Sequence, residues 1–257
     1  MKHLIAIDSD GTLRHSDGSI TKETKSTISK LINSGNVILL CTGRPRYHGL
    51  TISSEVGIDS YLISSNGAEV YDIKNEKVVF GYYLPKYVVK RIYRDSKKYD
   101  LRVVFACDNI EYVTKFTRTS SQILLDDNNI NELIDLDVKQ AMFIGSDVDN
   151  INNYKNIVKN EYHYKVVDEA LTFNSEVYFS IVNKQSSKGN AIKKLAVILD
   201  MKDIIAIGND VNDLTMFEVA TTSVCVNNAE DSIKEHAKVI VESNDEDGVR
   251  KYLETLL

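Results

Sequence analysis

The chain has 257 residues, of which 43% are hydrophobic and 26% charged, so it can bury the core of one large domain or two modest ones. Its net charge of −6, with no cluster of Lys and Arg interleaved with aromatic residues, argues against nucleic acid as a main partner. No apolar run approaches a membrane span and a strand pattern begins after Met-Lys-His, so we expect a cytoplasmic protein without a membrane partner.

The first predicted element is an apolar strand that runs into Asp8, Ser9 and Asp10, followed by Gly-Thr. In an extended backbone, side chains two residues apart point the same way, so the two carboxylates are expected to converge at the end of the strand. Close carboxylates repel, which favours a divalent cation between them or a proton on one of them. The same residue types also form ordinary turns, so this segment needs support from elsewhere in the chain.

The second strand pattern ends at Cys41 and continues into Thr42, Gly43 and Arg44. A hydroxyl and a glycine N–H at a strand end can both bind a phosphoryl oxygen, although Thr-Gly is equally a common start for a helix. A cysteine phosphatase loop has the pattern Cys-x5-Arg, which would place Arg at position 47. Tyr47 stands there, so Cys41 is interpreted as a strand residue. The chain has an odd number of cysteines, Cys41, Cys107 and Cys225, and each lies in or next to an apolar strand pattern. This predicts buried thiols in a reducing compartment rather than disulfides.

The middle of the chain contains mostly strand patterns. Pro85 opens a helix that continues to about Lys98, and Asp108-Asn109 favours a hairpin turn. Strands are predicted over residues 77–83, 101–107, 110–116, 140–145 and 176–182. We therefore predict an inserted α+β domain over residues 83–182, between two parts of a core domain at 1–82 and 183–257.

Two segments near the end add polar groups. Lys188 opens a helix, where its ammonium and the helix N-terminus both favour an anion. A buried-type strand over 203–208 then runs into Asn209, Asp210, Asn212 and Asp213. These carboxylates and amides are hard oxygen donors of the kind Mg²⁺ prefers.

The core domain shows alternating strands and helices. Helix patterns over residues 21–34 and 188–199 lie between continuous apolar runs at 3–7, 37–41, 61–63, 204–207, 223–226 and 239–241. This alternation predicts an α/β fold with a doubly wound, Rossmann-like parallel sheet, whose active site lies beyond the carboxyl ends of the strands.

These segments, in this order, resemble the four motifs of the haloacid dehalogenase (HAD) superfamily, and within it the Cof-type phosphatases of subclass IIB. The resemblance spans the chain. The motifs correspond to Asp8-Ser-Asp-Gly-Thr-Leu13, Thr42-Gly-Arg-Pro45, Lys188-Gly189 and Gly208–Asp213; further similar segments are Ser65–Ala68, Asn228-Ala229 and Asn244–Val249. The resemblance implies a HAD-like core with a large α+β cap inserted between the second and third motifs.

The resemblance also implies roles for individual residues. Asp8 would be the nucleophile that forms an aspartyl-phosphate, and Asp10 would be the general acid and base. Mg²⁺ would be held by Asp8, the backbone carbonyl of Asp10 and the fourth motif, where Asp213 positions the ion or its waters. Phosphoryl oxygens would be bound by Ser9, Thr42, Gly43, Lys188 and Asn212. Arg44 and Asn66 are candidates for contacting the leaving group, although Arg44 could equally form a salt bridge to a neighbour and Asn66 could form the Asn-Gly turn.

One position departs from the commoner family pattern. Asn209 stands where a carboxylate ligand is usual, so the direct metal ligand could be Asn209 through its amide oxygen, Asp210 or Asp213. We expect a Mg²⁺-dependent phosphatase for small phosphorylated metabolites, either sugar phosphates or phosphorylated cofactors, that is a monomer or weak homodimer. The alternatives are a phosphomutase or phosphotransferase acting on sugar phosphates, and a catalytically weakened protein that binds phosphorylated metabolites.

Overall fold

The computed structural model describes residues 2–115, 122–161, 164–173 and 176–257. The chain divides into two compact units, Met1–Phe80 with Ser187–Leu257 and Gly81–Ser186. The first unit contains both ends of the chain, and the second is a single continuous insertion. No helix in the described ranges is long and apolar enough to cross a membrane.

The strands are β1 (Leu4–Ile7), β2 (Val37–Cys41), β3 (Tyr61–Ser64), β4 (Glu69–Asp72), β5 (Lys77–Gly81), β6 (Arg102–Ala106), β7 (Glu111–Val113), β8 (Gln122–Leu124), β9 (Gln140–Gly145), β10 (Lys165–Phe173), β11 (Glu176–Val182), β12 (Ile204–Gly208), β13 (Thr222–Val226) and β14 (Val239–Val241). The helices are α1 (Lys22–Asn33), α2 (Arg46–Val56), α3 (Lys86–Lys98), α4 (Ile130–Ile134), α5 (Val148–Glu161), α6 (Lys188–Ile198), α7 (Leu214–Val219), α8 (Asp231–Lys234) and α9 (Gly248–Glu254). Short 3₁₀ turns cover Ser65–Gly67, Val211–Asp213 and Asn244–Glu246.

The first unit is built on an eight-stranded sheet in the order β14-β13-β12-β1-β2-β3-β4-β5. From β14 to β3 the neighbouring strands are parallel, and β4 pairs with β3 in the antiparallel direction. Successive residues of β1 enter different cores, since Ile5 packs with α1, α2 and α9 while Leu4 packs with α6, α7 and α8. Helices on both faces confirm the predicted doubly wound α/β core and explain its continuous apolar strands.

Local signals set the ends of the helices that support this sheet. The Thr21 side chain caps α1 by accepting a hydrogen bond from Thr24 N, and the Ser187 side chain caps α6 by accepting one from Asn190 N. Gly57, with φ of 75°, ends α2 in the left-handed conformation that glycine adopts readily.

The second unit contains a six-stranded sheet in the order β10-β11-β9-β6-β7-β8, antiparallel except for the β7–β8 pair. Its helices α3, α4 and α5 pack against one face. Phe143 and Phe179 stack at the centre of that core, with ring centroids 4.5 Å apart. This is the α+β architecture that the strand-rich middle of the sequence predicted.

Several element boundaries differ from the sequence prediction. The strand expected over 110–116 is only Glu111–Val113, and Phe116 lies outside the described residues; the strand expected over 77–83 ends at Gly81. Helix α5 was not predicted, because it is rich in Asn, which has low helix propensity. It forms because Ile151, Tyr154 and Val158, at helical spacing, are buried in the second core.

Candidate active site

The carboxyl ends of three adjacent strands carry the predicted motifs. In the central sheet β1 lies between β12 and β2, and all three run parallel. Asp8 follows β1, Thr42 follows β2, and Asn209 follows β12 directly. Parallel pairing therefore brings residues that are far apart in the chain to one edge of the sheet.

The centre of this edge is a buried group of three charges. Lys188 Nζ donates to Asp8 Oδ1 and to Asp213 Oδ1, both at 2.7 Å. The Lys188 side chain is 1% exposed, and the side chains of Asp8 and Asp213 are also buried, at 8% and 0% exposure. One ammonium thus compensates two buried carboxylates, which leaves the group with a net negative charge when all three are ionised.

Burial controls the protonation of Asp8. It raises the pKa of Asp8 to about 7, even though the neighbouring Lys188 ammonium acts in the opposite direction. The nearby Asp213 carboxylate adds to the rise. Asp8 Oδ2 accepts no hydrogen bond from any residue in the described ranges. Asp8 therefore has one oxygen, Oδ1, held by Lys188, while its Oδ2 is free to attack an electrophile or to bind a cation.

Asp10 has a different cationic partner. Arg44 Nε lies 2.6 Å from Asp10 Oδ2, and Arg44 Nη2 lies 2.8 Å from Asp10 Oδ1. Burial alone would raise the pKa of Asp10, but the hydrogen bonds and charge of Arg44 outweigh it and lower the pKa below its usual value. Two-point ion pairing of this kind also fixes the plane of the carboxylate.

The extended backbone assumed for Asp8 and Asp10 does not continue through both residues. Strand β1 ends at Ile7, and the chain turns at Ser9, so the two-residue periodicity does not extend to these positions. Separate cations bind the two carboxylates, Lys188 for Asp8 and Arg44 for Asp10, and the charge of Asp10 still adds to the rise in the pKa of Asp8. Their environments shift their pKa values in opposite directions, upward for Asp8 and downward for Asp10.

Ser9, Thr42 and Gly43 lie between these groups. The hydroxyl groups of Ser9 and Thr42 are 2.9 Å apart, and Thr42 Oγ1 accepts a hydrogen bond from Arg44 N. Within the described parts of the chain, the backbone N–H groups of Ser9 and Gly43 donate to no acceptor. Unused N–H groups beside a buried hydroxyl pair can bind an anion.

Asn66 and Asn212 are paired with each other. Asn212 Nδ2 donates to Asn66 Oδ1 at 3.0 Å, and Asn66 N donates to the carbonyl of Thr42. Asn212 Oδ1 is buried and has no hydrogen-bond donor in the described ranges. Ser65 and Asn66 both adopt positive φ, at 49° and 57°. Asn66 therefore connects the second-motif loop to the fourth-motif loop.

The fourth-motif loop is folded around Asp213. Its Oδ2 accepts from the backbone N–H groups of Asn209 and Asp210, at 2.9 and 3.0 Å. Asn209 Oδ1 accepts from Thr12 Oγ1 at 2.8 Å, which ties this loop to the residues after Asp10. A Cβ at Gly11, where φ is 74°, would come within 2.7 Å of the Asn209 amide nitrogen. Glycine at position 11 thus permits both the backbone turn and the approach of Asn209.

No three Asp, Glu, His or Cys side chains in the described ranges form a group that could hold a metal ion. The predicted ligands that the structure brings to the edge of the sheet are two buried carboxylates, Asp8 and Asp213, with the amide of Asn209. Both oxygens of Asp213 already accept hydrogen bonds, Oδ1 from Lys188 and Oδ2 from two backbone N–H groups.

Sequence reasoning did not single out several residues that surround the site. Arg14 lies 3.6 Å from Asp10, Thr12 bonds Asn209, and Asn228 Nδ2 donates to the carbonyl of Gly11. Thr12 lies in the first motif, and Asn228 lies in one of the further segments that resemble the family. Neither side chain type by itself indicates a role in the reaction. The three cysteines are free and buried, and burial raises the pKa of Cys41 far above its usual value. This agrees with its interpretation as a strand residue.

Comparison with known proteins identifies the family. The family of haloacid dehalogenase-like hydrolases matches residues 5–253. The 5-amino-6-(5-phospho-D-ribitylamino)uracil phosphatase YwtE of Bacillus subtilis (strain 168) is 26% identical over 98% of this chain and 97% of its own. Phosphatase YwpJ of the same organism is 26% identical over 99% of both chains.

Solved structures share the fold over the full length. A haloacid dehalogenase-like hydrolase from Bacteroides thetaiotaomicron aligns with a TM-score of 0.88 and 22% identity, covering 100% of both chains. The fold, the order of the motifs and the full-length sequence matches agree with one another. The chain therefore belongs to the haloacid dehalogenase-like hydrolase family and is a phosphatase of that family.

Proposed function

We propose that this protein is a Mg²⁺-dependent phosphatase that hydrolyses small phosphorylated metabolites through an aspartyl-phosphate on Asp8. The observation that carries the proposal is the buried contact of Lys188 with both Asp8 and Asp213, at 2.7 Å each. It joins three of the four motifs at the carboxyl edge of the sheet. Such an arrangement supports phosphoryl transfer, because one cation orients the nucleophile while the other groups bind phosphoryl oxygens.

In the proposed first step, Asp8 Oδ2 attacks the phosphorus atom and the bond to the leaving oxygen breaks. This oxygen of Asp8 is the candidate because Oδ1 is already held by Lys188. Asp10 donates a proton to the leaving oxygen, and the freed alcohol departs. In the second step, Asp10 accepts a proton from water as that water attacks the phosphorus, which releases phosphate and regenerates Asp8.

The remaining residues are proposed to bind the phosphoryl group. An ammonium has three N–H donors, and Lys188 uses two on Asp8 and Asp213, so one is left for a phosphoryl oxygen. The N–H groups of Ser9 and Gly43 supply further donors, together with the Thr42 hydroxyl. These groups are held by backbone structure before substrate arrives, so they need little reorganisation in the transition state.

The side chains present fit Mg²⁺. Asp8 Oδ1 has a second lone pair beside its bond from Lys188, and with the carbonyl of Asp10 and the oxygens of Asn209 or Asp210 it offers hard donors. Mg²⁺ usually keeps several waters rather than a full protein cage. Because Asp213 binds Lys188 through one oxygen and two loop N–H groups through the other, we assign it the role of holding the lysine and the loop. When bound, the cation would offset the repulsion between the anionic Asp8 and the anionic phosphate.

The inserted unit, Gly81–Ser186, is proposed to act as the cap domain that selects the substrate. The relative YwtE is named for a phosphate ester of a ribityl group attached to a heterocycle. We therefore propose sugar phosphates, sugar-alcohol phosphates and phosphorylated cofactors as the substrate class. A panel of such esters, ranked by kcat/KM, would identify the preferred leaving group.

The proposal is tested with p-nitrophenyl phosphate in the presence of Mg²⁺ and of EDTA. We expect turnover only with Mg²⁺ and loss of turnover in Asp8→Asn. Acid quenching of the wild-type reaction, followed by proteolysis, should yield a phosphorylated peptide that contains Asp8. Asp59→Asn, an exposed carboxylate change, is the matched control and should retain activity. Folded protein without turnover, or phosphate transferred to added sugar rather than water, would contradict the proposed hydrolysis.

A further inference from the structure

The loop after Asp10, residues 11–16, is held by side chains from the end of the chain. Asn228 Nδ2 donates to the carbonyl of Gly11 at 2.8 Å. Asn244 Nδ2 donates to the carbonyl of Arg14 at 2.9 Å. The backbone N–H of Asn244 donates in turn to Asn228 Oδ1 at 3.0 Å. The two asparagines therefore form one continuous hydrogen-bonded bridge across this loop.

The turn that carries Asn244 makes further contacts to the same loop. Asp245 Oδ1 accepts from Ser16 N and its Oδ2 accepts from Ser16 Oγ, both at 2.7 Å. Asp247 Oδ1 lies 3.0 Å from His15 Nε2. Three residues of the turn over 243–247 thus bind three successive loop residues, Arg14, His15 and Ser16, which fixes the register between the two segments.

The turn itself is well ordered by its own interactions. Ser243 and Glu246 form a reciprocal capping box at its ends. Asp247, with φ of 58°, also accepts hydrogen bonds from Thr21 and Arg250, at 3.1 and 3.2 Å. The segment that holds the loop therefore has fixed geometry of its own, as a positioning element requires.

The loop position bears directly on Asp10. Gly11 is its chain neighbour, and Asp10 and Arg14 form a β-bridge. The Arg14 guanidinium lies 3.6 Å from Asp10 Oδ1, on the carboxylate that Arg44 also binds. A shift of residues 11–14 would therefore move both the backbone and one charged neighbour of Asp10.

We propose that Asn228 and Asn244 are positioning residues for Asp10, which hold the loop after it so that its carboxyl group can reach the leaving oxygen. The inference rests on the proposed function, since it assigns these asparagines to the proton-transfer step of that reaction. Their loss should impair the reaction most when the leaving group needs a proton. A structural role alone would slow all substrates to a similar degree.

The test compares p-nitrophenyl phosphate, which has a good leaving group, with phenyl phosphate, which has a poor one. Asn228→Ala should lower kcat/KM for phenyl phosphate by about tenfold or more, because small misplacements of a catalytic group are costly, and lower it much less for p-nitrophenyl phosphate. Asn227→Ala is the matched control, since Asn227 is an adjacent exposed asparagine. It should leave both rates unchanged.

Asn244→Ala serves as the second variant and should show the same selectivity. Asn244 is only 4% exposed, so its variant is checked for folding, while the more exposed Asn228 supports the test independently. Asp10→Asn is the reference. The inference would be overturned if Asp10→Asn loses more kcat/KM for phenyl phosphate than for p-nitrophenyl phosphate, but Asn228→Ala loses kcat/KM equally for both esters or not at all.

Two outcomes separate this inference from the proposed function. If the folded wild-type protein hydrolyses neither ester, the proposed phosphatase reaction is wrong, and so is the inference that rests on it. Normal turnover with no leaving-group selectivity in Asp10→Asn would overturn the acid role of Asp10, and with it the positioning role, while leaving hydrolysis in place.

Discussion

Arg44 binds Asp10 at two points, with Nε–Oδ2 at 2.6 Å and Nη2–Oδ1 at 2.8 Å. The sequence left two roles open for Arg44, contact with the leaving group or a salt bridge to a neighbouring residue, and in the structure it pairs with the candidate general acid. The pair holds the pKa of Asp10 below its usual range in spite of burial. A group that must be protonated to act as an acid is thus held in its ionised form before substrate binds.

This pairing predicts a shift in the pH profile of Arg44→Met. Without the guanidinium, burial remains and the pKa of Asp10 rises, so its acid form persists to higher pH. We expect the basic limb of kcat for phenyl phosphate to move upward in pH, and less so in Arg44→Lys, which keeps one positive charge. A profile that moves toward lower pH in Arg44→Met would contradict this role.

The raised pKa of Asp8 predicts a stability effect. Its pKa is about 7 in the folded chain and has the usual, lower carboxyl value in the unfolded chain. At a pH between these two pKa values, the folded state therefore binds more protons than the unfolded state. The metal-free protein should therefore lose stability from this group as pH rises toward 7. Asp8→Asn removes that loss.

The free energy of unfolding of Asp8→Asn relative to wild type should increase from pH 4.5 to pH 7.5. Urea unfolding in EDTA measures it, with Asp59→Asn as the exposed control. A difference that stays constant over this range would show that Asp8 does not titrate as proposed.

Asn209 offers a test of the metal ligands. Replacing its amide by a carboxylate adds a charge at a proposed ligand, so Asn209→Asp should lower the Mg²⁺ concentration for half-maximal thermal stabilisation. We expect roughly a tenfold change, equivalent to about 1.4 kcal/mol. An unchanged Mg²⁺ dependence would count against direct ligation by residue 209. Asp210→Asn is the companion variant, and weaker binding there would favour Asp210 as the ligand.

The second unit depends on its aromatic core. Phe179 is fully buried and stacks on Phe143, so Phe179→Ala should destabilise this unit by about 3–5 kcal/mol. Urea unfolding followed by tyrosine fluorescence measures the loss. Leu136→Ala, at a side chain 43% exposed, is the control and should change stability far less. A small effect of Phe179→Ala would mean that the stacked pair does not control the stability of this core.

Much of the fold was readable from local patterns. Continuous apolar strands such as β1 and β12, separated by amphipathic helices, predicted the doubly wound sheet because strands covered on both faces need no polar side. Helix α5 and strand β10 were missed, since their residues acquire their conformation from long-range packing and pairing rather than from propensity.

The sequence by itself determined the chemical groups and their order: Asp8 and Asp10 after one strand, Thr42 after the next, Lys188 at a helix start and Asp213 after a third. Those identities follow from residue type and spacing. Only the tertiary structure decided which charges meet. Lys188 lies between Asp8 and Asp213, and Arg44 binds Asp10, because parallel strand pairing brings distant segments to one edge. Burial there sets the protonation of each carboxylate, and no local pattern in the chain encodes it.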